Sequence, residues 1–160
     1  MNDLHEFFSA SVGASAAFIG LLFVAVALAP ERVFGLEAHP KRRADAARAF
    51  VALANIFFVS LAALIPQDGL SIMLVISILS IAQIIREARS AARIHPMRDV
   101  VLSYGTASLG IYIAQFVLIL RLNLGYASLD GLLYVIIGLY MFALITSWQL
   151  LSLRDNPRTD

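Results

Sequence analysis

Residues 7–30 read FFSASVGASAAFIGLLFVAVALAP, a run of 24 residues without a charge. A helix of that length crosses a hydrocarbon core of about 30 Å. Small residues line one edge of it: Ser9, Gly13, Ala16, Ala17 and Gly20. Phe18, Leu21, Leu22, Phe23 and Val24 supply bulk elsewhere. The stretch reads as a membrane-spanning helix with one face suited to close contact with another helix. The chain starts MNDLHE, which is acidic. A signal sequence has a basic leader and an apolar run of only about 7–15 residues. The first helix is therefore expected to be retained, behind a short acidic tail at Met1–Glu6.

The rest of the chain extends this reading. It is 60% hydrophobic and 14% charged, whereas soluble domains average roughly 45–50% and about 25%. Charge-free stretches recur at 49–67, 69–85, 100–120 and 131–153. Too little chain lies between them for a separate soluble domain. Absence of cysteine excludes disulfides, thiolate metal sites and cysteine nucleophiles.

Punctuation between the stretches sets the helix ends. Pro30 stops the first helix. Ala44–Ala49, rich in helix formers, winds into the second, expected from about Asp45 to Ile65. Pro66-Gln67-Asp68-Gly69 combines fixed φ, side-chain capping and free φ, so the second and third helices form an antiparallel hairpin. The third helix continues past Arg86 toward Arg93 and ends before His95-Pro96. The fourth is expected from about Asp99 to Arg121, followed by a short loop with Asn123, Gly125 and Ser128. The fifth runs from about Asp130 to Leu153, with a frayed tail beyond.

Basic residues set the orientation. With the N-terminus outside, Arg32, Lys41, Arg42, Arg43, Arg48, Arg86, Arg89, Arg93, Arg98, Arg154 and Arg158 are cytoplasmic, and only Arg121 is external. Cytoplasmic loops carry such an excess of Lys and Arg. The expected fold is all-α: a polytopic integral membrane protein forming a five-helix transmembrane bundle, N-out and C-in. One transmembrane domain covers 1–160, with spans at about 7–29, 46–65, 70–86, 100–121 and 131–153. The expected location is a bacterial-type inner cell membrane, which the chain crosses several times.

No ionisable residue is expected deep in a span, which argues against proton coupling and embedded acid–base catalysis. Four helices carry one amide each: Asn55, Gln83, Gln115 and Gln149. Threading puts Gln83 and Gln149 in the cytoplasmic half, Asn55 near the middle and Gln115 toward the outside. Hydroxyls share their faces at helical spacing: Ser77, Ser80, Gln83 and Glu87 on the third helix, Tyr104, Ser108, Tyr112 and Gln115 on the fourth, Thr146 and Gln149 on the fifth. Two readings stand side by side. The stripes line a polar path, or they form interhelical hydrogen bonds worth about 0.6 kcal/mol each.

Small residues carry a packing expectation. Ser9, Gly13, Ala17 and Gly20 on the first helix, and Thr106, Gly110 and Ala114 on the fourth, lie at intervals suited to close backbone approach. A homo-oligomer follows, because five short-looped helices bury few faces by themselves. His39-Pro40 and His95-Pro96 lack the further ligands a metal would need, so neither metal nor cofactor is expected. The basic loops set topology without nucleic acid as a partner. Five helices in so short a chain is the format of the tryptophan-rich translocator proteins, but Trp148 is the only tryptophan.

The function expected is a small oligomeric channel or facilitator for ions or small solutes. The alternative is a non-catalytic accessory or assembly subunit of a larger membrane complex, with a membrane protein as partner. No catalytic constellation is present, so the chain is not expected to be an enzyme.

Overall fold

The computed structural model describes residues 2–28, 30, 40–91 and 98–152; for 2, 40–44, 87, 88, 90, 91, 98–108 and 150–152 it describes the backbone alone. Five helices account for nearly all of it: α1 (Asn2–Leu28), α2 (Pro40–Ala63), α3 (Gly69–Ala91), α4 (Arg98–Asn123) and α5 (Asp130–Ser152). Four of them contain windows long and apolar enough to cross a membrane: Asp3–Leu28, Asp45–Ala63, Gly69–Arg86 and Asp130–Gln149. In α4 the apolar part with described side chains is Leu109–Asn123.

Helix boundaries follow local chemistry. The acidic tail expected at the start is instead the first turn and a half of α1. Asp3 complements the positive end of the helix dipole. Leu4 and Phe7 pack against the core and Phe8 is buried in it, so this turn has burial to hold it in the helix. α1 ends at Leu28, just ahead of Pro30. α2 starts earlier than expected, at Pro40. Proline suits the start of a helix because the N–H it lacks would have no partner there.

The α2–α3 connection is the tight turn read from Pro66-Gln67-Asp68-Gly69. The Leu64 and Ile65 N–H groups donate to the Leu61 and Ala62 carbonyls at 3.1 and 3.0 Å. The Asp68 carbonyl accepts from the Ile72 N–H at 3.1 Å and starts α3. A Cβ on Gly69 would overlap the Ala62 carbonyl oxygen, so the hairpin closes only around a glycine. α4 ends in a Schellman arrangement. The Tyr126 N–H donates to the Arg121 carbonyl at 2.8 Å and the Gly125 N–H to the Leu122 carbonyl at 3.0 Å. Gly125 takes the left-handed φ of 77° that this cap requires.

Packing closes a ring. α2 packs on α3, α3 on α4, α4 on α5, and α5 returns to α2. Short connections make these four an up-down-up-down bundle. α1 lies outside the ring along α2. It reaches α5 through the Phe18–Tyr140 ring contact and a hydrogen bond from the Tyr140 hydroxyl to the Ser11 carbonyl, 2.8 Å. α2 is thus the hub, in contact with three helices. Its inner face repeats at three and four residues: Asp45, Ala49, Ala52, Ile56 and Val59 are buried. The alanines keep the backbones close. The core adds Met73, Tyr112, Ile119, Leu132, Ile136 and Leu139.

The outside of the bundle is apolar. Leu21, Phe23, Leu79, Met141 and Ile145 are each more than half exposed. Soluble monomers rarely expose apolar area on this scale. Exposed Tyr126 and Tyr134 stand near one end of α5 and exposed Trp148 near the other.

Candidate functional site

Of the polar residues picked out on α2, α3 and α4, Asn55, Ser77, Ser80 and Gln115 meet in the ring interior. The Asn55 amide donates through Nδ2 to Ser80 Oγ at 2.8 Å. The Gln115 amide donates through Nε2 to Ser77 Oγ at 3.1 Å. Ser77 Oγ in turn donates to the Met73 carbonyl at 2.9 Å, one turn back on its own helix. Ser77 and Ser80 are three residues apart on α3, which puts their Cβ atoms about 5–6 Å from each other. One face of α3 therefore receives an amide from α2 and another from α4. Asn55, Ser77, Ser80 and Gln115 are all buried, and so is Tyr112, one turn from Gln115 on α4.

The hydrogen bonds also orient Gln115. Ser77 gives its only proton to the Met73 carbonyl, so it can meet Gln115 only as an acceptor. The nitrogen of Gln115 must face Ser77, and its carbonyl faces elsewhere. That carbonyl, Oε1, has no hydrogen-bond partner, and neither does Oδ1 of Asn55. Each such buried acceptor costs about 1–3 kcal/mol while unsatisfied. The Ser60 hydroxyl, buried on α2, is unpartnered as well.

Other polar candidates lie apart from this cluster. Gln83 is half-buried on α3, one turn beyond Ser80. Thr146 is buried on α5 but returns its hydroxyl to its own helix, to the Phe142 and Ala143 carbonyls at 2.9 and 3.0 Å. Gln149 is half-buried near the end of α5. The side chains of Tyr104, Ser108, Thr106 and Glu87, and all of His39 and His95, lie outside the described residues.

The small face of α1 is turned away from the rest of the chain. Ser9, Gly13, Ala16, Ala17 and Gly20 are exposed, and the space around Gly13 and Gly20 is open. α1 instead turns inward Phe8, Ser11, Ser15, Ile19 and Leu22, a face about 140° around the helix from the small one. Ser15 Oγ bonds back to the Ser11 carbonyl at 2.6 Å, which also accepts from Tyr140. Gly110 and Ala114 on α4 are likewise exposed.

Two features escaped the sequence reading. Arg48, counted there among the cytoplasmic basic residues, is buried on α2. Its guanidinium is 3.5 Å from the carboxylate of buried Asp45. The three-residue spacing of Asp45 and Arg48 was the available signal. Tyr140, a tyrosine in the middle of an apolar run, ties α5 to α1. An apolar cleft of about 140 Å³ lies between α1, α2 and α5. It is lined by Phe18, Leu21, Leu22, Leu53, Ala143 and Leu144 among others, and none of its residues belongs to the amide–hydroxyl cluster.

Comparison with protein-family models, with curated proteins and with solved structures gives no match.

Proposed function

We propose that the protein is a five-span inner-membrane protein, N-out and C-in, that acts as a facilitator for small solutes or ions. The observation that carries this reading is the Asn55–Ser80 and Ser77–Gln115 cluster. It joins three helices inside an apolar bundle and holds two carbonyl oxygens without partners. Packing alone needs no such groups, since alanine and leucine fill a membrane bundle without orphaned acceptors. The five-span count draws support from α4, whose 26 residues include the charge-free stretch 100–120. The orientation draws support from exposed Arg86 and Arg89 toward one end and Arg121 toward the other. Tyr126, Tyr134 and Trp148 suit the two interfaces.

Because the cluster is buried within the protomer, a path that uses it runs inside the four-helix ring, not along an axis between protomers. Oligomerisation then serves to cover the open face of α1. Purified protein in liposomes is expected to pass solute above the empty-liposome rate, with Gln83→Leu or Gln115→Leu changing flux more than stability. Absence of flux together with a co-purifying partner would overturn the reading. The second reading, an accessory subunit of a larger complex, is favoured by one observation: the open Gly13 and Gly20 face of α1. That face suits either another copy of the chain or a partner helix.

A further inference from the structure

We infer that the cleft between α1, α2 and α5 holds one fatty-acyl chain of an anionic phospholipid, whose headgroup lies at the basic first turn of α2. This inference is independent of solute passage and gives the protein a lipid partner of defined charge.

The cleft opens sideways to the outside of the bundle and is blocked at one end. Leu53 of α2 and Ala143 of α5 form its buried floor, while exposed Phe18 and Leu21 of α1 and Leu144 of α5 form its rim. Of its lining residues only Ser147 is polar. α1 and α5 meet at Tyr140, which touches the Phe18 ring and donates to the Ser11 carbonyl. The cleft begins at that contact and continues along α1 to Ala25. From Phe18 to the end of α1 at Leu28 is ten residues, or about 15 Å. That is half of a hydrocarbon core of about 30 Å, the depth of one leaflet. The cleft's volume is about 140 Å³. Apolar cavities of about 150 Å³ stay dry and take a benzene-sized molecule, so a run of several chain carbons fits.

Charge selects the lipid. The ring contact of Phe23 with Phe50, 5.5 Å, sets α1 and α2 level with each other at that point. Lys41, Arg42 and Arg43 occupy the first turn of α2, about 10–14 Å farther toward the same end of the bundle. That places them just past the end of α1, where a headgroup would sit above a chain in the cleft. No acidic residue shares that turn, and Asp45, next along the helix, is paired with Arg48 at 3.5 Å. Residues 31–48 hold five basic side chains against three acidic ones, whereas residues 154–160 beyond α5 hold two of each. The excess of positive charge is therefore on the α2 side of the cleft. A chain moving from bilayer lipid into the cleft gains no hydrophobic energy, since both surroundings are apolar. Preference for one lipid then comes from the headgroup, and juxtamembrane Lys and Arg attract anionic ones. In the orientation proposed above this is the cytoplasmic leaflet, which carries anionic lipid.

Wild-type protein in detergent is titrated with phosphatidylglycerol or with phosphatidylcholine of the same chains, and bound lipid is read by native mass spectrometry. It should retain one phosphatidylglycerol per protomer, at least fivefold more than phosphatidylcholine. Lys41→Gln, Arg42→Gln and Arg43→Gln together should remove that preference. Ala25→Phe, at an exposed lining position, puts a ring into the cleft and should lower phosphatidylglycerol retention severalfold with the basic turn intact. Both variants are first checked for wild-type helicity; if Ala25→Phe does not fold, Ala25→Leu takes its place. Equal retention of the two lipids by wild-type protein, or retention of neither, would overturn the inference. Retention lost with the glutamines but indifferent to Ala25→Phe would mean a headgroup on the basic surface only, and the cleft would not be the seat. A dimeric mass that Ala25→Phe reduces to a monomer would give the cleft to a second copy of the chain. None of these results bears on solute passage, which the liposome flux decides.

Discussion

Gly69→Ala should destabilise the protein, against what helix propensity alone expects. Gly69 opens α3 with an ordinary helical backbone, so propensity favours alanine by up to about 1 kcal/mol. The added methyl group, however, would overlap the Ala62 carbonyl oxygen across the hairpin turn. That atom belongs to the backbone, at the last turn of the hub helix, and cannot swing aside as a side chain can. Overpacking of this kind costs typically 1–3 kcal/mol. Subtracting the full propensity gain leaves a loss of up to about 2 kcal/mol. At roughly 2–4 °C per kcal/mol for a chain of this size, melting should fall by up to about 8 °C. Circular dichroism melts in one detergent measure it. Gly138→Ala on α5 is the internal control, because a Cβ there meets nothing within 4 Å. It should melt at or above the wild-type temperature. If Gly69→Ala melts with or above Gly138→Ala, the close approach at the α2–α3 turn does not exist as drawn.

Other expectations follow from the packing. A double-mutant cycle on Gln115→Leu and Ser77→Ala should return a coupling of about 0.6 kcal/mol and not above about 1.7, the range for interhelical hydrogen bonds in membranes; zero coupling would mean the two side chains do not meet. Asp45→Leu strands the buried Arg48 guanidinium and should cost as much as about 3–5 kcal/mol, and Asp45→Leu with Arg48→Met should recover most of it. A double variant no more stable than the single in a denaturant titration would refute that pairing. Gly13→Leu and Gly20→Leu point into open space, so they should preserve the protomer's melting while lowering its oligomeric mass in detergent by light scattering. Unchanged mass in both would show that this face is not an assembly surface.

The apolar runs and their punctuation made the helices legible. Lipid leaves a charge-free run of about twenty residues little choice but a helix, since every backbone N–H and C=O must be satisfied within the segment. The hairpin at Pro66–Gly69 was legible for the same local reason, and the structure adds why its glycine is needed. Boundaries were less legible. The first turn of α1 is helical because Leu4, Phe7 and Phe8 pack on residues far away in the chain. A short polar start gives no local sign of that.

Which residues face one another was decided by tertiary structure. In α1, Ser9-Gly13-Ala17-Gly20 and Ser11-Ser15 are both rows of small residues, and only the longer one was singled out from the sequence. The structure seats the shorter row against its neighbours because bulky Phe8, Ile19 and Leu22 share that face. In lipid, bulk and smallness are both apolar, so hydropathy cannot tell an inward face from an outward one. The amides show the same division. Spacing along each helix placed Ser77 with Ser80 and Tyr112 with Gln115. Only the closing of α2, α3 and α4 around one another brought Asn55 to Ser80 and Gln115 to Ser77, and left Thr146 bonded to its own helix. Residues 7–30 alone determined that the chain starts with a helix long enough to span a membrane. Whether its small face is covered depends on contacts no single helix contains, because packing energy arises between helices and not along them.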